Sequence, residues 1–187
     1  GLRPLPDAAA ARYAVLPVPY EGTVCCGTGT ADGPAAILAA SPHMERYDEQ
    51  TGVQLDLCGI LTAPAVEPAD EPEEQMRRVY DACRRQHAAG RFVLMLGGEH
   101  SVTAAAVRAA IDAGGPVSVL QFDAHADLRD AYTGGRYSHA SVMRRVSEMT
   151  DTFVQVGIRS YSAEEAAQCP GAIGRLLTDR HVREAVA

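Results

Sequence analysis

Four residues of the types that bind metal ions lie in two short segments of this chain. His100 follows Gly97-Gly98-Glu99, and Asp123, His125 and Asp127 alternate with alanines in the second segment. In an extended backbone, residues two apart project to the same side. Two carboxylates and an imidazole on one side would repel or lack partners unless a cation joined them. The two segments together therefore predict a metal site with His100, Asp123, His125 and Asp127 as ligands.

The ligand types restrict the choice of metal. Two imidazoles and two carboxylates suit Mn²⁺, Zn²⁺, Fe²⁺ or Ni²⁺ better than Ca²⁺ or Mg²⁺. Because each carboxylate can bridge two ions, the set also suits a pair of metals. For either segment alone, a solvated turn with a helix cap is an alternative interpretation. The occurrence of both segments, each after an apolar run, favours the metal site.

Two further polar residues are candidates for roles beside the metal. Glu99 could be a ligand, but we interpret it as a residue that orients its neighbours from outside the ligand shell. His139 follows a glycine pair at residues 134–135 and precedes a helical pattern, so it could carry protons at the site. A surface histidine near a helix start is the alternative for His139.

The elements that must position these residues alternate along the chain. Helical patterns separate the apolar runs, and in the clearest of them, residues 73–87, Met76, Val79, Tyr80 and Cys83 share one face. This order predicts a parallel α/β sheet, whose sites form at the carboxyl ends of strands. The run 92–96 is continuously apolar and predicts a strand buried on both faces, and residues 117–122 predict another buried strand. The predicted strands are residues 13–18, 53–60, 92–96, 117–122 and 153–158.

Length and composition set broad limits on the protein class. We predict a mobile lead-in at residues 1–12 and a single domain over residues 13–187. A net charge of −7 without a Lys/Arg-rich run argues against nucleic acid and membrane surfaces as partners, and mildly favours a small cationic substrate. No apolar run approaches the roughly 20 residues that span a bilayer. The five cysteines match no zinc motif, so we expect reduced thiols and a cytoplasmic location.

The motifs resemble those of the ureohydrolase family, which includes arginases and agmatinases. Residues 97–101 resemble its first metal motif, and residues 122–127 resemble its second. The resemblance extends over nearly the whole chain from Tyr13. Residues 14–23, 32–37 and 47–52 are similar to agmatinase segments, and residues 156–160 fit a later strand.

The resemblance implies a fold, a cofactor and a reaction. The fold would be a three-layer α/β/α arrangement around a mostly parallel sheet, with two Mn²⁺ per subunit. His100 and Asp127 would bind one ion, His125 the other, and Asp123 would bridge or share. Hydroxide activated by the two metals would hydrolyse a guanidino compound, with agmatine favoured, to urea and an amine, and His139 would move protons. The family also implies a homo-oligomer, a trimer or hexamer.

One departure from the family pattern limits these expectations. A later Ser-x-Asp-x-Asp segment and a guanidinium-binding Glu are expected, but after Arg159 the sequence has only Asp179 and Glu184 as carboxylates beyond Glu164 and Glu165. In the family the last two strands lie between the strand before His100 and the strand carrying Asp123. We therefore expect a fold that is incomplete at its C-terminus: a fragment, a re-paired sheet, or a gap that another chain fills.

Two other functions are compatible with the motifs. A polyamine deacetylase would share the architecture but favour a single zinc and a paired-histidine motif, which the sequence lacks. A catalytically incomplete fragment or paralogue would have a structural or regulatory role instead. The number and identity of the bound metals would separate the first alternative from a ureohydrolase, and turnover would separate the second.

Overall fold

The computed structural model describes residues 8–133, 135–168 and 176–178. The chain forms two compact units, Gly1–Ala113 and Gly114–Ala187. Whether residues 13–187 act as the single domain predicted from the sequence stays a prediction. Of the predicted lead-in, residues 1–7 lie outside the described part, while Ala8–Ala10 form a 3-10 turn and Ala11 is buried.

The described residues of the first unit form five strands and three α-helices. Its main sheet is parallel, with strand order β4-β1-β5, and β1 pairs with β5 in register from Tyr13 opposite Phe92 to Val18 opposite Gly97. The elements are β1 (Tyr13–Val18), α1 (Gly33–Ala40), β2 (Tyr47–Asp48), β3 (Val53–Gln54), β4 (Ile60–Thr62), α2 (Pro72–Ala88), β5 (Phe92–Gly97) and α3 (Thr103–Gly114). The strands β2 and β3 form a short antiparallel pair.

The core of this unit lies between the central strand β1 and the helix α2. Leu16 and Val18 of β1 are fully buried, and α2 buries Met76, Val79 and Cys83 on one face. This confirms the helix predicted at residues 73–87. Pro72 begins it, as proline suits the first helical turn, where no N–H is required.

The strand predicted at residues 53–60 is wrong. Only Val53–Gln54 and Ile60–Thr62 are extended, and a 3-10 turn at Leu55–Leu57 separates them. Gly59 explains the break, since its φ of 76° lies in the left-handed region that glycine readily adopts. Its carbonyl accepts hydrogen bonds from the backbone N–H groups of Arg12 and Tyr13, which sets β4 beside β1.

The second unit has a parallel sheet with strand order β6-β7-β8. Val119 of β6 lies opposite Phe153 of β7, and Phe122 lies opposite Val156. The elements are β6 (Val119–Phe122), α4 (Val142–Ser147), β7 (Phe153–Ile158), α5 (Ala163–Gln168) and β8 (Leu176–Thr178), with a 3-10 turn at His139–Ser141 before α4. Its buried core includes Leu128, Val142, Met143, Val146, Phe153 and Ile158.

The strands β5 and β6 each have one open edge. Among the described residues, β5 pairs only with β1 and β6 pairs only with β7. Phe92 and Leu94 are 63% and 51% exposed, and Leu120 and Phe122 are 60% and 75% exposed. The prediction that these two strands are buried is therefore wrong for this chain.

No helix in the described part of the chain is both long and apolar enough to cross a lipid bilayer.

Two leucines in neighbouring strands test this division between core and open face. Leu16→Ala should lower the free energy of unfolding by about 2–5 kcal/mol, because Leu16 is 1% exposed and its removal leaves a cavity. Leu94→Ala should change it by less than about 1 kcal/mol, because half of the Leu94 side chain is already in water. Urea denaturation of both variants measures the difference. Equal losses would contradict the assigned burial.

Candidate metal centre

The first metal motif begins where β5 passes close to the segment after β1. A Cβ on Gly98 would overlap the backbone carbonyl of Tyr20, so only glycine fits there. The next residue, Glu99, donates its N–H to that same carbonyl at 2.8 Å. The glycine of the motif therefore sets the path of the chain that leads to His100.

The carboxylate of Glu99 acts as an internal anchor. It is 4% exposed and accepts hydrogen bonds from the N–H and the Oγ1 of Thr23, both at 2.7 Å, and from Ser101 Oγ. The pKa of Tyr20 is raised to about 12, first by burial and then by the negative charge of Glu99. Because both oxygens of Glu99 have donors within the protein, the geometry supports its interpretation as an orienting residue. Thr23 was not predicted from the sequence, because no sequence pattern relates it to Glu99.

His100 opens the 3-10 turn His100–Val102 directly after this anchor. Ser101 and Val102 are buried, while His100 is half-buried. The buried Ser101 and Val102 thus hold the turn in place. The imidazole lies at the carboxyl end of β5, where the sequence predicted a ligand.

In the second unit, Asp123 and Asp127 bring their carboxylates together beyond the end of β6. Their oxygens lie within 4.8 Å of one another. The amide nitrogen of Gln121 donates to both, at 3.3 Å to Asp123 Oδ2 and 3.2 Å to Asp127 Oδ2. Two adjacent carboxylates repel when both are ionised. A cation would remove that repulsion, so this pair fits the chemistry of a metal site.

The backbone of this segment differs from the extended chain used to predict it. The strand ends at Phe122 and the chain bends at Ala124. The N–H of Ala126 donates to Ser160 O at 3.1 Å, and Asp127 has a φ of 53° in the left-handed region. The carbonyl of Asp127 accepts the N–H groups of Met143 and Arg144 at the start of α4. Asp127 therefore reaches its position through a local turn that α4 stabilises, and not through a period of two.

His125 lies on the solvent side of the same segment. Asp123 Oδ1 accepts its backbone N–H at 2.8 Å and lies 3.5 Å from its Nδ1. The His125 side chain is 66% exposed. Its backbone is thus fixed by Asp123, while its ring remains open to solvent. His100, Asp123, His125 and Asp127 all stay predicted ligands.

Two glutamines position the carboxylates and were not singled out from the sequence. Gln155 of β7 is fully buried and donates to Ala126 O at 2.7 Å and to Gln121 Oε1. Gln155 thereby orients Gln121 so that its amide hydrogens face Asp123 and Asp127. The hydrogen bonds that position the two carboxylates therefore start from a buried residue of β7. A polar residue in the otherwise apolar run 153–158 was the available signal.

Glu165 supports the same segment from α5. It is 4% exposed, and its Oε1 accepts the N–H of Leu128 at 2.9 Å. Its Oε2 accepts the N–H of Ser162, whose hydroxyl accepts the N–H of Glu165 in return. This reciprocal arrangement is a capping box, and the Ser-x-x-Glu spacing could have revealed it. The buried carboxylate thus connects the start of α5 to the residue that follows Asp127.

His139 begins the 3-10 turn before α4 and is half-buried. Its ring meets that of Tyr132 edge-on, with centroids 5.3 Å apart and an interplanar angle of 79°. The Ser138 hydroxyl donates to Ser141 Oγ at 3.0 Å and makes no capping hydrogen bond to the turn. The role of His139 as a proton carrier stays a prediction.

In parallel α/β sheets ligands bind beyond the carboxyl ends of the strands, and these aspartate and histidine side chains follow β5 and β6 there. A sequence model of the arginase family matches residues 11–186, and the chain belongs to that family. This confirms the resemblance to ureohydrolases that the two motifs indicated.

Three comparisons show how far the similarity extends. An N(1)-aminopropylagmatine ureohydrolase from Synechocystis is 36% identical over 163 residues, which cover 83% of this chain and 53% of that protein. The agmatine ureohydrolase structure from Thermoplasma volcanium has a TM-score of 0.85 at 29% identity, over 95% of this chain and 60% of the other. A Trypanosoma cruzi formiminoglutamase solved with Mn²⁺ has a TM-score of 0.84 at 22% identity, over 98% and 65%, and shows the fold alone.

The comparisons confirm the predicted α/β fold and its incompleteness relative to these proteins. The chain spans about half the length of the curated relative it matches.

Gly98→Ala tests the close approach at the first motif. The added methyl group must displace the backbone at Tyr20, so we expect a loss of at least about 1–3 kcal/mol in the free energy of unfolding. Gly114→Ala is the matched control, because nothing lies within 4 Å of its added Cβ, and it should be neutral or stabilise by up to about 1 kcal/mol. Urea denaturation compares the two. Equal stabilities would show that the contact at Tyr20 is not restrictive.

Glu99→Gln tests the anchor. An amide places an NH₂ group against donors that need an acceptor, so the variant should lose about 1–3 kcal/mol of stability. Glu45→Gln, at an exposed position, should leave stability within about 0.5 kcal/mol. Thermal and urea denaturation of both proteins give the values. A Glu99→Gln protein as stable as the control would mean that the Thr23 contacts contribute little.

Proposed function

We propose that this chain carries part of an agmatinase-type ureohydrolase, which hydrolyses the guanidino group of agmatine or its N1-aminopropyl derivative to urea and an amine. The observation that carries the proposal is the convergence of the Asp123 and Asp127 carboxylates at the end of a parallel strand, in a chain of the arginase family. The two substrates share the reacting guanidinium and differ only in the tail, so the same chemistry serves both.

The donor chemistry supports manganese as the cofactor. Asp123 and Asp127 offer carboxylate oxygens within 4.8 Å of one another, and His125 follows Asp123 on the same segment. Together with His100, this set of oxygen and imidazole donors matches the preference of Mn²⁺ and similar ions. When bound, a metal pair supplies Lewis acidity that lowers the pKa of water to about 7. We propose two Mn²⁺ per complete site.

The protein's own residues hold the donors in place before any metal binds. Gln121 orients both carboxylates, and the carbonyl of Asp127 is fixed by the first N–H groups of α4. Such preorganisation matters because ligands held in position need not be reordered when the substrate arrives. Asp127, at 6% exposure, is the more constrained of the two.

Hydrolysis also requires a proton for the departing amine. Addition of water to the guanidinium carbon is followed by cleavage of a C–N bond, and the amine leaves more readily once protonated. We propose His139 for this transfer, because a half-buried imidazole at a turn can exchange protons with solvent and substrate alike. Tyr132 restricts the ring's orientation through its edge-on contact.

The open edges of β5 and β6 favour a second candidate function for the chain by itself. Phe92, Leu94, Leu120 and Phe122 expose apolar surface beside unpaired strand edges. Such a chain could bind metal yet depend on further polypeptide for turnover, which corresponds to the structural or regulatory role considered from the sequence. The oligomeric state, a cytoplasmic location and the absence of nucleic-acid or membrane partners also stay predictions.

The test combines urea release with manganese binding. With Mn²⁺ present, we expect urea from agmatine or N1-aminopropylagmatine, and Asp127→Asn should reduce it by at least about 100-fold while weakening Mn²⁺ affinity. Asp70→Asn, a control at an exposed carboxylate far from the motifs in sequence, should change neither quantity. Removal of the metal with a chelator should abolish the activity, and added Mn²⁺ should restore it.

The possible results separate the alternatives. Tight manganese binding without turnover would favour the second candidate. One zinc per chain with release of acetate from an acetylated polyamine would contradict the ureohydrolase proposal, as would a protein that forms urea from no guanidino compound.

A further inference from the structure

Cys25 and Cys26 are adjacent in the loop that follows β1, and both are exposed. In extended backbone, neighbouring side chains point to opposite sides. Here the two sulfur atoms lie on the same side, 3.7 Å apart, and the Cys25 thiol donates a hydrogen bond to Cys26 Sγ. The loop therefore presents two thiols together at the surface.

Carboxylates fasten this loop on both sides of the cysteines. Thr23 is bound by Glu99 through its N–H and its hydroxyl, each at 2.7 Å. On the far side, Glu21 Oε2 accepts the N–H groups of Gly29 and Ala31 at 2.8 and 2.9 Å. In the described part of the chain, no backbone hydrogen bond holds residues 24–28. A backbone change at the thiols would therefore strain the nearest of these contacts, and Thr23 lies only two residues before Cys25.

A bond between these two sulfurs would require such a change. Consecutive Cα atoms across a trans peptide are about 3.8 Å apart, below the range of about 4.4–6.8 Å in ordinary disulfides. Backbone movement cannot lengthen this separation, so a bond between the two sulfurs would be strained. Bringing the sulfurs from 3.7 Å to about 2.05 Å requires rotation of the backbone on either side of this peptide, where Gly27, with a φ of 79°, is an adaptable neighbour. Strained and exposed disulfides are the ones most readily reduced again.

We propose that Cys25 and Cys26 form a reversible dithiol–disulfide pair, which is oxidised by small-molecule disulfides and, once oxidised, releases Thr23 from Glu99. One thiolate attacks the small disulfide, forms a mixed disulfide and expels one thiol. The second cysteine then attacks the protein sulfur of that mixed disulfide, forms the Cys25–Cys26 bond and expels the second thiol. The protein loses two electrons and two protons, and the small disulfide is reduced to two thiols.

The other described cysteines lack these features. Cys83 is buried, and burial raises its pKa to about 11, which suppresses its thiolate. Cys58 is half-buried and donates to Gln54 O at 3.6 Å. Neither has a second thiol beside it in the described residues.

The hydrogen bond to Cys26 raises the pKa of Cys25, so the reaction should be faster above neutral pH.

The consequence for the predicted metal site follows from the position of Glu99. This carboxylate binds Thr23 and immediately precedes His100, so a loop that withdraws Thr23 removes two of its three described donors. Oxidation should then loosen the turn that carries His100. This effect on hydrolysis rests on the proposed function, whereas the thiol chemistry and the release of Thr23 do not.

The first experiment follows the thiols. The full chain is treated with oxidised glutathione, and its peptides are analysed by mass spectrometry without reduction. We expect the peptide containing Cys25 and Cys26 to lose two hydrogen atoms and to regain them with dithiothreitol. Cys25→Ser and Cys26→Ser should each carry one glutathione instead. Cys58→Ser, which retains the pair, should behave as the unsubstituted chain.

The second experiment follows the Thr23 amide by hydrogen exchange. Because this N–H is donated to Glu99, its exchange should accelerate by at least roughly tenfold on oxidation and return on reduction. Neither serine variant of the pair should show this change. Persistent free thiols, two glutathione adducts on the peptide, or disulfides only between chains would overturn the pairing. An internal disulfide with unchanged Thr23 exchange would overturn the link to Glu99.

Urea release is measured separately on the same samples. Activity that falls on oxidation in the unsubstituted chain and not in Cys25→Ser would support the effect on the metal site. If the disulfide forms and Thr23 exchange responds while no sample releases urea, the failure lies with the proposed function and not with the redox pair.

Discussion

The proximity of two carboxylates, Asp123 and Asp127, is the constraint on which the second unit depends. Like charges within 4.8 Å are costly, so the surrounding structure must supply donors and a rigid backbone. Gln121 supplies the donors, and buried Gln155 fixes the orientation of Gln121. An arrangement that places polar groups in a sheet core to hold two acids together makes physical sense when a cation completes it.

The first unit also holds a carboxylate away from water, but there the protein itself supplies the hydrogen-bond donors. The carboxylate of Glu99 is also buried, but Thr23 and Ser101 satisfy its oxygens with three donors. It therefore does not need a cation. Its hydrogen bonds instead connect the loop after β1 to the turn at His100. A carboxylate is thus a predicted metal ligand where donors are few and an anchor where donors are sufficient.

The sequence predicted the elements with strong local signals and missed those that depend on distant contacts. β1, α2 and β7 follow directly from apolar runs and helical spacing. The break at Gly59 depends on its pairing with Arg12 and Tyr13, which no local pattern contains. The left-handed turn at Asp127 was missed for the same reason, since α4 stabilises it from fifteen or more residues away. Ligand types are local information, whereas the groups that orient them are not.

The exposed faces of β5 and β6 show how sequence patterns and chain extent can disagree. An apolar run such as Phe92–Gly97 is typical of a buried strand, and parallel strands of this composition are normally covered on both faces. In this chain Phe92 and Phe122 are largely exposed, and each strand has an unpaired edge. Unpaired edges with apolar side chains readily accept another strand. We therefore predict that further polypeptide pairs with these two strands, whether it belongs to the same chain or to another.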